Sequence, residues 1–377
     1  MAAFATPFAT GSPATVKVWS QKLLYAIIQK CYFKQFSSMS GDNVIHIMND
    51  LTRTNGDQIK FDLLAQIAGS HWGVNNGATV NSLLGGTGEQ AITYNQDSIL
   101  IGEKVVAQKW DRMSMQRSIH DLYEDSLRNL SDAWARIVDS YLMSQLTGRT
   151  GTGGNGGTLL TDSAAWEGAN ATTMSGGLDA NHKVATTGSV ETDDFSTAHI
   201  ESARWKAETL VDAEVGSVQK LRVNGQECYV AFIRPEAAKN LRSVDADWKA
   251  AQQYAQERGD KNPLFVGSLG MWGNVILHVS SYLPFNTAGA GVQLGYNVLC
   301  GKQAAVAAFG HPFNVLDKAK YQYDGPFAMV PRDATDYGSK PGMLGGAIWG
   351  IKRTMTATAT TPQAFGAVSM GSTDPVL

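Results

Sequence analysis

The apolar positions Ile119, Tyr123, Leu127, Leu130, Trp134, Ile137 and Tyr141 recur at steps of three and four, which gathers them into one stripe of an α-helix. Glu124, Arg128, Asp132, Arg136 and Asp139 fall on the opposite side. No Pro or Gly interrupts the run before Gly148. The pattern therefore predicts a helix over Ile119 to Gly148, roughly 40 Å long at ~1.5 Å per residue. Gly148 offers a left-handed cap, and the Gly-rich run from Thr150 to Gly157 cannot continue the helix. A rod of this length spans a whole domain and acts as a spine.

Upstream, Val44 to Leu51, Gln58 to Leu64 and Ile99 to Gln108 read as strands. Gly56-Asp57 is a turn signal, so Arg53 to Leu63 reads as a hairpin. Between the second and third strands lies a stretch rich in Gly and Asn, with Trp72 and the pair Leu83-Leu84. It is long for a connection inside a compact domain, and the region reads as a long two-stranded flap. Residues 1 to 16 carry no periodicity, while Leu23, Leu24, Ile27, Ile28 and Cys31 form a short amphipathic pattern. An arm and a helix ahead of the first strand are built to reach a neighbour.

Beyond the spine, residues 149 to 190 are loop, and the sequence turns globular at Asp193. A helix is expected over Thr197 to Val211, with Asp193, Asp194 and Ser196 as cap residues. Glu227 to Ile233 reads as an apolar strand, and Pro235 to Arg242 and Asp247 to Arg258 as helices ended by Asn262-Pro263-Leu264-Phe265. Strands follow at Trp272 to Val279 and Gly295 to Leu299, then a small-residue segment at Gln303 to Phe309. Phe313 to Leu316, Tyr321 to Tyr323 and Gly346 to Thr356 return to strand. No fixed-period repeat is present, which excludes solenoids and propellers.

Composition narrows the function by exclusion. With 377 residues and 43 % apolar content the chain can fill a sizeable core. A net charge of −3, with Lys and Arg scattered, argues against a sequence-reading nucleic-acid binder. Cys31, Cys228 and Cys300 are far apart and share no ligand spacing, so packed, reduced thiols in the cytosol are expected, with no metal and no cofactor. No secretion signal or membrane-spanning run occurs, and the chain starting at Met1 leads us to expect no fused scaffold segment.

Catalytic signals are weak. Gly151-Thr152-Gly153-Gly154-Asn155-Gly156 has the spacing of a dinucleotide loop, but it follows a helix and leads into more loop, whereas phosphate binding needs a strand before it and a helix N-terminus after it. His46, His71, His120, His182, His199, His278 and His311 never pair at metal-ligand spacing, and no serine nucleophile elbow occurs. Asn170-Ala171-Thr172 fits a glycosylation sequon without a secretion signal, and Asp193-Asp194 suits a helix cap better than an acid/base pair. The tryptophans are spread over every region. Core packing accounts for Trp134 and Trp205, whereas Trp19 and Trp72 sit in segments with no core of their own and point to subunit contacts.

Arm, flap, spine and mixed head, in that order, resemble the major capsid proteins of tailed double-stranded DNA phages. The likeness is carried by Lys17-Val18-Trp19-Ser20, Asn55 to Leu63 with Asp57 and Phe61, Met115-Gln116-Arg117, and Arg128-Asn129-Leu130 with Trp134. Ala231-Phe232-Ile233-Arg234-Pro235-Glu236, Asn262 to Phe265 with Gly267, Gly295 to Gly310 and Trp349-Gly350-Ile351-Lys352 extend it over nearly all of residues 15 to 356. These runs are similar to those of a subfamily from short-tailed phages that carry a giant virion RNA polymerase. The chain departs from that pattern in the flap, where Glu89 alone remains of the acidic residues near Gly85 to Gln90, and in the long 149–190 loop.

The resemblance implies an α+β tailed-phage capsid fold in five parts: an N-terminal arm and helix (1–42), an E-loop flap with flanking P-domain strands (43–110), the spine helix and Gly-rich loop (111–192), an A-domain (193–314), and a return to the P-domain sheet with a C-terminal tail (315–377). It further implies hexamers and pentamers of an icosahedral shell around non-specifically held double-stranded DNA. A separate scaffolding protein, a portal at one vertex and an optional decoration protein would be the partners, with assembly in the host cytoplasm. The residues expected at subunit contacts are Trp19, Asp57, Phe61, Trp72, Leu83, Leu84, Glu89, Arg117, Arg128 and Arg234. An encapsulin-like nanocompartment shell would use the same fold, and a hydrolase with a dispersed triad is the alternative from the enzyme class.

Overall fold

The computed structural model describes residues 27, 30–48, 56–64, 94–148, 194–209, 217–223, 225–256, 269–287, 292–310, 327–331, 340–356 and 363–375. In chain order, a 3-10 turn (Tyr32–Phe36) leads to β1 (Ser37–Ser38), β2 (Ile45–Met48), β3 (Gln58–Leu64), β4 (Tyr94–Leu100) and β5 (Gly102–Lys109). The short helix α1 (Arg112–Arg117) precedes the spine α2 (Leu122–Thr147) and then α3 (Thr197–Thr209). Strands β6 (Leu221–Val223) and β7 (Gln226–Ile233) are followed by α4 (Pro235–Ser243) and α5 (Ala246–Gln256). Next come β8 (Gly270–Trp272), β9 (Val275–Val279), β10 (Phe285–Thr287), β11 (Val292–Cys300) and β12 (Ala305–Phe309). The last elements are β13 (Phe327–Pro331), β14 (Gly342–Arg353), β15 (Met355–Thr356), β16 (Gln363–Ala364) and β17 (Ala367–Pro375). The arm, most of its helix, the flap between β3 and β4, the 149–190 loop and the expected strands at 313–316 and 321–323 lie outside the described residues.

The spine forms as its period predicts, three residues shorter at its start. Asp121 accepts the Tyr123 N–H at 3.0 Å, and Glu124 and Asp125 occupy the first turn, where carboxylates suit the positive end of the helix dipole. Ile119 therefore precedes the helix and stands 99 % exposed. Gly148 closes the other end at φ 72°, a left-handed conformation that strains any side chain. The expected polar face is real only for the first half. Beyond Leu130 the helix is buried on most sides, and Asp139, expected in solvent, is 2 % exposed.

The reason is that α2 lies between two sheets. The first contains β1, β2, β12, β14, β13 and β5, and the second contains β10, β11, β7, β9 and β8 with β17 and β6 at their edges. Trp134, Leu130 and Leu142 share one core with Met343, Ala347 and Trp349 of the first sheet and with Val230, Phe232 and Val298 of the second. The other face of the second sheet carries Tyr229, Ala231, Ile233, Leu299 and Val368 against α3, α4 and α5. Both faces being covered, Cys228 to Ile233 is one continuous buried run without alternation.

The flap begins as expected: β3 pairs antiparallel with β4, Gln58 opposite Leu100 through Leu64 opposite Tyr94. The first arm of the local hairpin expected over Arg53 to Leu63 lies outside the described residues, and the partner that β3 has among them comes thirty residues later. The single strand expected over Ile99 to Gln108 also divides at Ile101, since β4 pairs with β3 while β5 joins β14. At that crossing a Cβ on Gly350 would run into the Leu100 carbonyl oxygen, so only glycine lets the strands pass. Ile59 and Ile99 pack the ribbon's base onto Val306 and Ala308, and Asp97 binds Lys352 Nζ at 2.6 Å. Trp272 to Val279 likewise divides, at Gly273 and Asn274, both with positive φ.

Ser196, one of the expected cap residues, stands directly before α3 and donates its N–H to His199 Nδ1 at 3.2 Å, and a distant carboxylate adds a further cap. Asp245 accepts the Thr197 N–H through Oδ2 at 2.6 Å, and its Oδ1 accepts the N–H groups of Asp247 and Trp248 at the start of α5. One carboxylate thus serves two helix N-termini. Burial alone would raise its pKa, but these hydrogen bonds outweigh burial and hold it below the ordinary 3.8. Asp245→Ala should cost about 2 kcal/mol, two caps at ~1 kcal/mol each, read by chemical denaturation. Because the folded pKa is depressed, this stabilisation is present above pH 3.8 and is lost as pH falls through the lower folded value, so wild type and variant should converge in acid.

Candidate assembly interface

Apolar side chains left in water mark where a chain meets something else. None of the residues of α1 is buried, and Met113 is 54 %, Met115 37 % and Ile119 99 % exposed. On the ribbon, Tyr94 and Leu100 stand out, and on the head so do Val244 and Trp205. Trp205, expected in the core, is 62 % exposed on the face of α3 that also presents Glu201 and Thr209. Nothing in the linear pattern marks α1, since two methionines two residues apart make no helical stripe, and only the structure shows both of them exposed.

The expected contact residues fall into three groups. Trp19, Trp72, Leu83, Leu84 and Glu89 lie outside the described residues. Asp57, Arg117 and Arg128 are exposed, while Phe61 is half-buried and packs on the ribbon's core. Arg234 is corrected from a contact residue to an internal one. It is 3 % exposed, pairs with Glu236 at 2.9 Å, donates to the Leu283 carbonyl at 2.8 Å and lies over the Phe285 ring. Its backbone N–H donates to Asn297, whose amide reaches Ser372, so Arg234 ties β7 to β11 and to the β10 region.

A second polar network ties the N-terminal segment to the spine. Lys30 Nζ reaches Ser131 Oγ at 2.8 Å and Asp132 at 2.7 Å, the Cys31 thiol donates to Asp139 Oδ1 at 3.0 Å, and the Tyr32 N–H donates to Asp139 Oδ2 at 3.1 Å. Tyr32 Oη lies 3.1 Å from His278 Nδ1 on β9. Burial, then the Asp139 charge, pushes the Cys31 thiol up to about 12, which keeps it protonated and unreactive. Side chains of the spine thus hold the segment Lys30 to Tyr32 against the body. All three cysteines are free thiols, and no metal-holding cluster occurs among the described residues.

Lys104 projects from β5 between Tyr141 of the spine and Trp349 of β14, its Nζ 3.6 and 3.8 Å from the two ring centroids. Burial lowers its pKa to about 8, and the ring faces replace part of the lost hydration. The contact pins the sheet to the helix. None of these groups forms a nucleophile–base arrangement; what the surface offers is a set of unfilled contacts on projecting elements.

A ribbon and an uncovered helix flanking a rod that is held between two sheets define a shell-building structural protein. The model of the phage capsid protein family matches residues 7–373, and the chain belongs to that family. The capsid of Ralstonia phage GP4 is 26 % identical, with 98 % of each chain covered and a TM-score of 0.67. Two further structures share the fold: the Cyanophage Pam1 capsid, at 16 % identity, 91 and 92 % coverage and TM-score 0.65, and the head of Helicobacter pylori bacteriophage KHP40, at 12 %, 90 % of each chain and 0.59. A comparison with curated proteins gives no match. The nanocompartment alternative finds no support among these likenesses.

Burial separates the two arginines in a measurable way. Arg234→Ala should destabilise the unassembled chain by about 3 kcal/mol, since it leaves buried partners unpaired. Arg117→Ala should leave that stability within about 0.5 kcal/mol. Denaturant titration followed by tryptophan fluorescence reads both.

Proposed function

We propose that the chain is the repeating subunit of a closed icosahedral shell, arranged in hexamers and pentamers around a double-stranded DNA genome. The likeness to the Ralstonia phage GP4 capsid over 98 % of both chains carries this reading. On it, residues 43–110 are the E-loop flap with its flanking strands, α2 is the spine, the first sheet belongs to the P-domain, and residues 193–314 form the A-domain. A separate scaffolding protein guides assembly in the host cytoplasm, a portal occupies one vertex, and a decoration protein is an optional partner. The chain itself carries out no catalysis.

The mechanism is association by many weak contacts. A subunit held through arm, flap and head together gains avidity far beyond any one interface. Open strand edges can extend a neighbour's sheet through backbone hydrogen bonds, which give affinity without demanding particular side chains. A chain of net charge −3 confines packed DNA without gripping it, because each phosphate contact adds affinity and salt dependence.

Electron microscopy of the purified protein should show hollow particles. A species that remains monomeric or dimeric under all conditions and hydrolyses esters or phosphates would overturn the reading. Deleting residues 66–92 should leave a folded head that elutes as a small species and builds no shells; normal particles from that deletion would sink the assignment of the flap.

A further inference from the structure

The most uncovered part of the described surface is α1 and the turn behind it. A six-residue helix is too short to hold itself in water, and none of the residues of this one is buried. Lys109, Arg112 and Arg117 outnumber the one carboxylate, Asp111, along the stretch that carries Met113, Met115 and Ile119, and all of these residues are exposed. Immediately after comes the opposite sign: Glu124 is exposed and Asp125 half-exposed in the first turn of the spine. Among the described residues, Arg112, Arg117, Glu124 and Asp125 form no ion pair, although the two pairs lie only a few residues apart.

We propose that α1 of one subunit docks, through Arg112, Arg117 and the apolar cluster of Met113, Met115 and Ile119, on the Glu124–Asp125 end of the spine in the next copy of this chain. The inference rests on the shell reading and specifies one of its contacts. With α1 of each subunit seated on the spine of the next, the interface is head-to-tail, and repetition of such an interface through a rotation that closes makes a ring. Charge complementarity selects the partner patch and orients it, while burying Ile119 and Met113 supplies the non-directional part of the attraction. Packaged DNA is the poorer occupant, because phosphates would satisfy the arginines and leave the three apolar side chains in water. Arg117, expected at a subunit contact from sequence, thereby gains a specific counterpart.

A charge swap tests this with the full chain. Arg112→Glu with Arg117→Glu, and separately Glu124→Lys with Asp125→Lys, should each lower shell yield about tenfold or more, through like charges facing one another. All four substitutions together should restore shells to near the wild-type yield, counted by sedimentation and electron microscopy. Circular dichroism and thermal unfolding of each unassembled variant show that the fold is intact. If folded single-patch variants assemble normally, or the fourfold variant is not rescued, the contact is wrong. Normal shells that merely retain less DNA would assign α1 to nucleic acid and also overturn it. Wild-type chain assembled in parallel tests the shell reading itself, so the two failures are told apart.

Discussion

Burial of one long helix between two sheets is the constraint from which the other features of this molecule follow. Alone, an amphipathic helix of this length would expose half its circumference. Here Leu130, Trp134, Leu142, Met143 and Leu146 are nearly inaccessible because the two sheets enclose the C-terminal half of the helix. Once that half is enclosed, its polar groups must find partners inside. Asp139 does so by taking donors from Cys31 and Tyr32, which ties the start of the 3-10 turn to the spine.

The first half of the spine has a different character. Glu124, Arg128, Asp132 and Arg136 remain in solvent, α1 has no buried residue, and the β3–β4 ribbon stands on a small separate core. The molecule therefore divides into a body that is complete by itself and appendages that are not. That division suits a shell protein, in which the body must be rigid enough to repeat while the contacts are weak enough individually to be corrected during closure. Buried devices serve the body: the Arg234 network joins strands within the second sheet, the Lys104 cage pins helix to sheet, and Asp245 joins two helices.

Much of this was legible in the linear pattern because it depends on neighbours in sequence. The period of three and four marked the spine, Gly148 marked its end, and Gln58 to Leu64 emerged as the strand read from it. The resemblance carried by short runs such as Asn55 to Leu63 and Ala231 to Glu236 pointed to the family that the full-length match then showed. The misreadings share a cause. Asp245 caps a helix that starts 48 residues earlier, Asp139 is covered by a segment 107 residues away, and β5 parts from β4 to join β14 far along the chain. No local window contains those partners.

Arg234 and Trp205 show the same boundary from the side of burial. A charged residue at a strand end reads as surface and an aromatic in a helix reads as core, yet Arg234 lies inside and Trp205 outside. What the amino-acid order determined by itself was the kind of the strongly periodic elements and the approximate extent of the spine, since backbone geometry imposes a period on side chains within a few residues. Which faces meet, which polar groups are enclosed and which apolar ones stay uncovered was decided only by the tertiary structure, because burial depends on elements that are remote in the chain and adjacent in space.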